Sequence, residues 1–173
     1  TGTVTNGKLQ VKDTFFNEEF HSKEQILANV VAIQSKSEHP IALSFVETYK
    51  EYTTPTMQCT NFEAIRGKGV VATIENVQWQ IGSVSLMNSK ETISPFTPEI
   101  TTFLEHNSIR TIVLVSTNNE IVAGFALDDS IRTGAKEMIA SLQRQDIEPI
   151  LCSGDSKNVV ASIAKEVGIT TYY

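Results

Sequence analysis

The chain has 173 residues, 40% of them hydrophobic and 20% charged, which is typical of a globular protein with one large domain or two small ones. A formal net charge of −6 at pH 7, without any Lys/Arg run longer than a pair, excludes a general nucleic-acid or anionic-membrane surface. The two distant cysteines, Cys59 and Cys152, exclude a disulfide-rich scaffold, and no apolar run approaches the roughly 18 to 20 residues that cross a bilayer.

The first three quarters of the chain predict two helices followed by a β-rich region. A hydrophobic period of two favours strands and a period of 3.6 favours helices. In chain order we expect a strand over 8–16, helices over 22–35 and from 37 to before 55, strands over 62–66, 70–74 and 77–81, a short helix around 100–104, and strands over 111–116 and 120–127. Ser22 with Gln25 forms a capping box, Ser37 is predicted to cap the second helix, and Asn118-Asn119 predicts a hairpin.

After Asp129 the pattern alternates between helix and strand, which is typical of a parallel α/β layer. A helix is expected over 132–144, a strand over 147–151, and a helix over 157–167 that is closed by Gly168. The predicted fold class is therefore α+β, with a mostly antiparallel sheet flanked by helices and then a partial α/β segment. The predicted division is a hinge segment at 1–7, the antiparallel unit at 8–127, and the α/β segment at 128–173.

Two short motifs suggest where a ligand binds. Ser37-Glu38-His39-Pro40 places an imidazole at a helix start, although helix capping with a partly buried histidine explains these four residues at least as well. About 28 residues later, Gly67-Lys68-Gly69 separates two predicted strands, and Gly82-Ser83 ends another. Backbone without a Cβ can approach a flat ligand closely, but a bulge or tight turn is an equally ordinary reason for such glycines.

The order of these motifs resembles the nucleotide-binding domain of heavy-metal-transporting P-type ATPases, and the resemblance covers essentially the whole chain. It implies that an adenine ring stacks on His39. It also implies an adenosine pocket formed by Gln34, Glu38, Gly67, Gly69, Gly82 and Ser83. The family often carries Glu and Asn at the positions of Gln34 and Ser83, so the hydrogen bonds to the nucleotide differ here.

Two further segments resemble the phosphate-handling loops of that family. Thr1-Gly2-Thr3 resembles the end of its Asp-Lys-Thr-Gly-Thr motif, whose Asp receives the γ-phosphoryl group, and Ser153-Gly154-Asp155 stands where Thr-Gly-Asp is usual. The resemblance implies an incomplete phosphate site formed by Thr1, Thr3, Ser153, Gly154 and Asp155, with no complete catalytic set and no metal site of its own. Asp129 and Arg132 match the family's Asp-x-x-Arg segment, although a helix N-cap and a surface charge are the simpler interpretation without the resemblance.

The resemblance implies a function as well as a fold. It implies an ATP-binding cytoplasmic fragment of an integral membrane pump for copper or zinc-group metals, whose cofactors are ATP and Mg²⁺ and whose partners are the remaining phosphorylation, actuator and transmembrane domains of the same polypeptide. Alone, the fragment is expected to bind ATP or ADP without hydrolysing it. Two alternatives stay open: a soluble phosphatase of the haloacid-dehalogenase kind, which shares the phosphorylation fold, and a non-catalytic interaction domain whose glycines only form turns.

Overall fold

The structure is a computed structural model that describes residues 2–19, 21–54, 57–88 and 96–173. Its strands in chain order are β1 (Thr5–Phe16), β2 (Cys59–Ile65), β3 (Gly69–Ile74), β4 (Val77–Gly82), β5 (Thr111–Thr117) and β6 (Glu120–Ile131). They form one six-stranded sheet in the order β1-β6-β5-β4-β3-β2, and every neighbouring pair is antiparallel. The predicted α+β class is confirmed.

Helices α1 (Lys23–Gln34) and α2 (Pro40–Thr48) cover one face of the sheet. The predicted capping box of α1 is present: the backbone N–H of Gln25 donates to Ser22 Oγ at 3.3 Å, and the Ser22 N–H donates to Gln25 Oε1 at 3.1 Å. Between these helices and the sheet lies the main core, where Phe45 meets Phe125 edge-on at 4.8 Å and Trp79 is fully enclosed. Burial of these large apolar side chains is the main force that holds the helix pair on the sheet.

The opposite face carries α3 (Val84–Asn88) and α4 (Pro98–His106) over a second, smaller core that includes Leu86 and Leu114. Helix α4 corresponds to the predicted short helix, and Thr97 caps it by accepting a hydrogen bond from the Ile100 N–H at 3.4 Å. Helix α3 was not predicted, because its five residues are too few to establish a helical period.

Beyond β6 the chain forms α5 (Ala135–Gln143), β7 (Ile150–Leu151), α6 (Lys157–Val167) and β8 (Thr171–Tyr172). Strands β7 and β8 pair in parallel, which confirms the α/β alternation. Helix α5 starts three residues later than expected because β6 continues through Ile131 and Gly134, with φ of 84°, provides the N-cap. Strand β7 is shorter than expected because the Ile147 N–H is used by the end of α5, where it donates to Leu142 O at 3.1 Å.

The paired strands β1 and β6 connect the sheet to the segment that follows it. Their register runs from Phe16 opposite Ala123 to Thr5 opposite Ile131, with an irregularity between Thr5 and Leu9. The predicted boundary at residues 127–128 therefore falls inside a continuous strand, and the division into domains stays a prediction.

Asp129 and Arg132 hold the irregular end of this strand pair. The Asp129 carboxylate accepts the backbone N–H groups of Gly7 at 3.1 Å and Lys8 at 3.2 Å. Arg132 donates from Nε to Thr5 O and from Nη2 to a second backbone carbonyl, both at 2.8 Å. The interpretation of Asp129 as a helix N-cap is therefore wrong, since its carboxylate binds backbone more than 120 residues away and Gly134 is the N-cap. Arg132 is exposed, as expected of a surface charge, and it also donates to the backbone of Thr5.

A polar network ties β1 to the end of α4 and to β6. Asn107, which is fully buried, donates from Nδ2 to Asp13 Oδ2 and to Phe103 O, each at 2.9 Å. Its Oδ1 accepts from Arg110 Nη1 at 2.7 Å, and Arg110 Nε donates to Asp128 at 3.2 Å. The network satisfies both ends of the buried amide, as a buried polar side chain requires.

We expect Asp13→Asn to make the fold less sensitive to acid. The hydrogen bond from Asn107 holds the pKa of Asp13 below its usual value of 3.8, helped by the Thr14 N–H and the positive charges of His106 and Arg110. A carboxyl whose pKa is lower in the folded state stabilises the fold above its unfolded pKa, and this contribution is lost as the pH falls through the folded pKa. The free energy of unfolding of Asp13→Asn should therefore fall less than that of the wild type between about pH 5 and pH 2.

Urea denaturation at a series of pH values measures this effect. Glu105→Gln removes an exposed carboxylate of α4 and provides the control, which should keep the wild-type pH dependence. Parallel curves for the wild type and Asp13→Asn would contradict the prediction.

Candidate functional site

A cleft of about 1030 Å³ lies between the sheet with its helix pair and the 132–173 segment. His39 and Lys12 contribute to one wall, the loop Ser153-Gly154-Asp155 contributes to the other, and Thr3 and Asp129 lie where the walls meet. The fold thus brings together residues from three distant parts of the sequence, at the end of the β1–β6 pair that leads into the 132–173 segment. Concave sites of this size are where small ligands usually bind.

The loop at Ser153 follows β7, at the carboxyl end of a parallel strand, where α/β folds place their ligand sites. The Ser153 hydroxyl donates to Asp155 Oδ2 at 2.7 Å and accepts from the Asp155 N–H at 3.3 Å. A Cβ on Gly154 would meet no atom within 4 Å, so the middle of the loop is open. The loop therefore presents a hydroxyl and a carboxylate in a fixed arrangement at the cleft.

His39 is itself the N-cap of α2, and the prediction that Ser37 caps this helix was wrong. Pro40 occupies the first turn, and a residue before proline is kept out of the helical region, so the cap falls on His39. Its Nδ1 accepts the Ile41 N–H at 3.2 Å, while Ser37 Oγ accepts the His39 N–H at 3.2 Å. The imidazole is thereby oriented through an unprotonated Nδ1, and the residue stays exposed at the cleft.

Gln34 and Glu38 lie on either side of the connection between α1 and α2. Gln34 is the last residue of α1 and is 4% exposed, whereas Glu38 is exposed. Within the described ranges, the buried side-chain atoms that lack a hydrogen-bond partner belong to other residues and not to Gln34. It is thus a buried polar group at the same end of the helix pair as His39.

Gly69 and Gly82 face each other across β3 and β4. A Cβ on Gly69 would collide with Ile81 O and lie 2.5 Å from the Cα of Gly82. A Cβ on Gly82 would collide with Lys68 O and lie 2.8 Å from both the Gly69 Cα and a Leu86 methyl group. The space freed by these two glycines is therefore filled by the protein itself, which gives them a role in strand packing.

Gly67 differs from that pair, because a Cβ at this position would meet nothing within 4 Å. Its φ of 71° explains the glycine as a turn residue. Ser83 donates its N–H to Lys68 O at 2.7 Å, which closes the glycine turn against the end of β4. The nucleotide-binding roles expected for Gln34, Glu38, Gly67, Gly69, Gly82 and Ser83 stay predictions.

The cleft walls contain some of the predicted residues and not others. They include His39, Thr3 and the Ser153-Gly154-Asp155 loop, but none of the three predicted glycines 67, 69 and 82. Thr1, the remaining predicted phosphate-site residue, lies outside the described residues. The histidine thus shares a cleft with the loop Ser153-Gly154-Asp155, while the glycine turns lie elsewhere on the sheet.

Sequence reasoning missed Lys12 as a member of the site. Its Nζ donates to Gln10 Oε1 at 2.7 Å, and the side chain contributes to the cleft wall. No motif marks this lysine, which lies at an irregularity of the β1–β6 pairing, between Val11 opposite Leu127 and Asp13 opposite Ala126. Within the described ranges, no group of three or more His, Cys, Asp or Glu side chains is arranged to hold a metal ion. In those ranges, too, no helix has the length and hydropathy needed to cross a membrane.

Comparison with known sequences relates the chain to one family and to a set of pumps. A model of haloacid dehalogenase-like hydrolases matches residues 1–173. Copper-exporting P-type ATPases of Staphylococcus aureus strains bovine RF122 / ET3-1 and MW2 are each 32% identical over 99% of this chain. The chain spans 21% of the length of these relatives.

Comparison with solved structures identifies the fold. The alignment with the catalytic domain of the CPx-ATPase CopB-B covers 100% of this chain and 57% of the CopB-B chain, with a TM-score of 0.72 and 24% sequence identity. The alignment with a zinc-transporting PIB-type ATPase in the E2.Pi state covers 100% of this chain and 27% of the ATPase chain, with a TM-score of 0.68 and 24% sequence identity. The N-domain of HMA6, a copper-transporting P-type ATPase, matches 70% of this chain with 99% of its own, at a TM-score of 0.53 and 19% identity. The fold is therefore that of the catalytic domains of P-type ATPases.

Proposed function

Because the chain belongs to the haloacid dehalogenase-like hydrolase family, we propose that it is the ATP-binding part of a heavy-metal-transporting P-type ATPase. In this role it presents ATP so that the γ-phosphate reaches an aspartate elsewhere in the polypeptide. The observation that supports the proposal is the cleft that joins the imidazole of His39 to the loop Ser153-Gly154-Asp155. The copper-exporting relatives favour copper as the cargo of the whole pump. The chain would work in the cytoplasm, together with the remaining phosphorylation, actuator and transmembrane domains.

The base side of the cleft is built for weak, reversible binding. Stacking of an adenine on the exposed imidazole of His39 is worth about 1 to 3 kcal/mol. With one or two hydrogen bonds in addition, the dissociation constant for ATP would be on the order of 0.01 to 1 mM. A domain that releases its nucleotide in every transport cycle gains from such an affinity.

The part of the cleft lined by Thr3 and the Ser153-Gly154-Asp155 loop offers oxygen ligands that suit Mg²⁺ bound to a nucleotide. Hydroxyl and carboxylate groups at Thr3, Ser153 and Asp155 are the ligand types that Mg²⁺ prefers, and Lys12 supplies a positive charge nearby. When bound with ATP, Mg²⁺ neutralises the charge that develops on the phosphates. The Ser153–Asp155 hydrogen bond holds the hydroxyl and carboxylate in position for this ligand. We expect the chain to bind ATP or ADP without hydrolysing it.

Substitutions at His39 separate nucleotide stacking from helix capping. We expect His39→Ser to weaken ATP binding about tenfold, because stacking is lost while a serine still caps α2. His39→Ala should weaken binding similarly and also cost about 1 kcal/mol of stability, because the cap is lost as well. Isothermal titration calorimetry measures the first effect and urea denaturation the second.

His106→Ser is the matched control, since His106 is an exposed histidine in the last turn of α4. It should bind ATP like the wild type. An unchanged affinity of His39→Ser for ATP would reject the stacking role.

Amide NMR spectra with millimolar ATP locate the nucleotide on the fold. The proposal predicts shifts at His39 and at the loop Ser153-Gly154-Asp155. Additional shifts at Gly67 and Gly69 would extend the site to the glycine turn. A spectrum without any shifts would favour the interaction domain instead.

A further inference from the structure

Asn6-Gly7 is the only Asn-Gly pair in the sequence, and it lies in the irregular stretch of β1 between Thr5 and Leu9. In such a pair the glycine nitrogen can attack the side-chain amide of the asparagine, because glycine has no Cβ that hinders the approach. Asn6 is exposed, so water reaches its side chain. The pair therefore combines a reactive sequence with an accessible position.

The reaction open to this pair is a cyclisation followed by hydrolysis. The Gly7 nitrogen loses its proton and bonds to Cγ of Asn6, while the Cγ–Nδ2 bond breaks and the side-chain nitrogen takes up that proton and leaves as ammonia. Water then opens the succinimide at one of its two carbonyl groups. The product is an aspartate at position 6 or an isoaspartate, in which the backbone runs through the former side chain.

Asp129 holds the nucleophile of this reaction. Its carboxylate accepts the N–H of Gly7 at 3.1 Å and that of Lys8 at 3.2 Å. A negative charge at this distance disfavours removal of the Gly7 proton, because the nitrogen would become negative as well. The two charge-assisted bonds also fix the Gly7 amide against β6, which opposes its rotation towards the asparagine side chain.

Ser130 holds the electrophile. Asn6 Nδ2 donates to Ser130 Oγ at 2.7 Å, which ties the asparagine side chain to β6. Cyclisation requires the side-chain carbon to leave this position and approach the Gly7 nitrogen. Because Asp129 and Ser130 are consecutive residues of β6, one local opening of the strand pair releases both reacting groups.

We propose that Asn6 is a deamidation site of this chain and that Asp129 and Ser130 restrain its reaction in the folded state. The modification then records how often this end of the β1–β6 pair opens. Its product also loosens the same strand end. An aspartate at position 6 adds a negative charge one residue before the amides that Asp129 binds, and an isoaspartate adds a methylene group to the backbone there.

Peptide mapping by mass spectrometry, with isoaspartate detected by enzymatic methylation, measures the reaction at each asparagine. The wild-type chain is incubated in mildly alkaline buffer, either folded or unfolded in urea. In urea, Asn6 should react before any other asparagine. In the folded chain the rate at Asn6 should be lower by about tenfold or more, because reaction then requires local opening.

Substitution of Asp129 tests the restraint on the nucleophile. Asp129→Ala should raise the rate at Asn6 in the folded chain about threefold or more, because the Gly7 N–H loses its acceptor. Asp128→Ala is the matched control, since this neighbouring carboxylate pairs with Arg110 instead. Its rate at Asn6 should stay within about twofold of the wild type.

Ser130→Ala removes only the acceptor of the Asn6 side chain and should also raise the rate, which provides a second measurement where Asp129→Ala does not fold. Equal rates at Asn6 in the folded and the unfolded wild type would overturn the restraint. Earlier reaction of another asparagine in urea would overturn the assignment of the site. Wild-type rates in both folded variants would show that neither residue restrains the reaction.

Discussion

Gly82→Ala is expected to destabilise the fold by roughly 3 kcal/mol or more. The added methyl group would collide with Lys68 O and lie 2.8 Å from both the Gly69 Cα and a Leu86 methyl group. Two of these three neighbours are backbone atoms. They can move away only if β3 and β4 separate at the position where Gly69 and Gly82 are paired. The strands would have to give up pairing near their ends, and the Leu86 core on the other face would be disturbed at the same time.

Urea denaturation followed by the fluorescence of Trp79 measures this loss, because the indole is buried in the main core. Gly154→Ala is the matched control: it adds the same methyl group where no atom lies within 4 Å and where φ is not positive. Its stability should stay within about 0.5 kcal/mol of the wild type. A Gly82→Ala protein as stable as Gly154→Ala would show that the two strands are not as close as described.

Asn107→Ala is expected to cost about 2 to 4 kcal/mol, since it removes the centre of the polar network between β1, α4 and β6. The buried amide makes three hydrogen bonds, and its loss leaves Arg110 and Asp13 each without their shared partner. Arg110 keeps its ion pair with Asp128 and Asp13 keeps the Thr14 N–H, so the cost comes from the loss of the hydrogen bonds of the buried amide itself. The acid sensitivity attributed to Asp13 should become smaller in the same variant, because the Asn107 hydrogen bond is the main cause of its lowered pKa.

The control for this substitution is Asn158→Ala, which removes an exposed amide from α6. Because alanine is the better helix former, this variant should match or slightly exceed the wild type in stability. Equal free energies of unfolding for Asn107→Ala and Asn158→Ala would contradict a stabilising role of the network.

Features decided by neighbouring residues were predictable from the sequence. The turns Glu75-Asn76 and Asn118-Asn119 both adopt positive φ, between 49° and 66°, as two-residue hairpins with a right-handed twist require. The capping box at Ser22 is equally local. In each case the chemistry that fixes the backbone lies within four residues, so the sequence pattern was sufficient.

Features that depend on long-range register were not predictable. In the sequence, Gly69 and Gly82 are two separate glycines. Only the pairing of β3 with β4 shows that the backbone at each position occupies the space that a side chain at the other position would need. Asp129 looked like a helix cap because its backbone partners, Gly7 and Lys8, lie more than 120 residues away. The inclusion of Lys12 in the cleft was missed for a similar reason, since this residue lies at an irregularity in the pairing of β1 with β6.

The pairing of β1 with β6 also determines how this architecture can diversify. Because Thr5 lies opposite Ile131, the two ends of this strand pair lie together, and the elements between β1 and β6 form a long insertion that is held by the β1–β6 ladder and by the pairing of β5 with β6. Substitutions or changes of length within that insertion leave the distance between Thr3 and Ser153 in the fold unchanged. Under the proposed function, the part that would bind the base and the part that would bind the phosphates can thus change independently in sequence within one continuous chain.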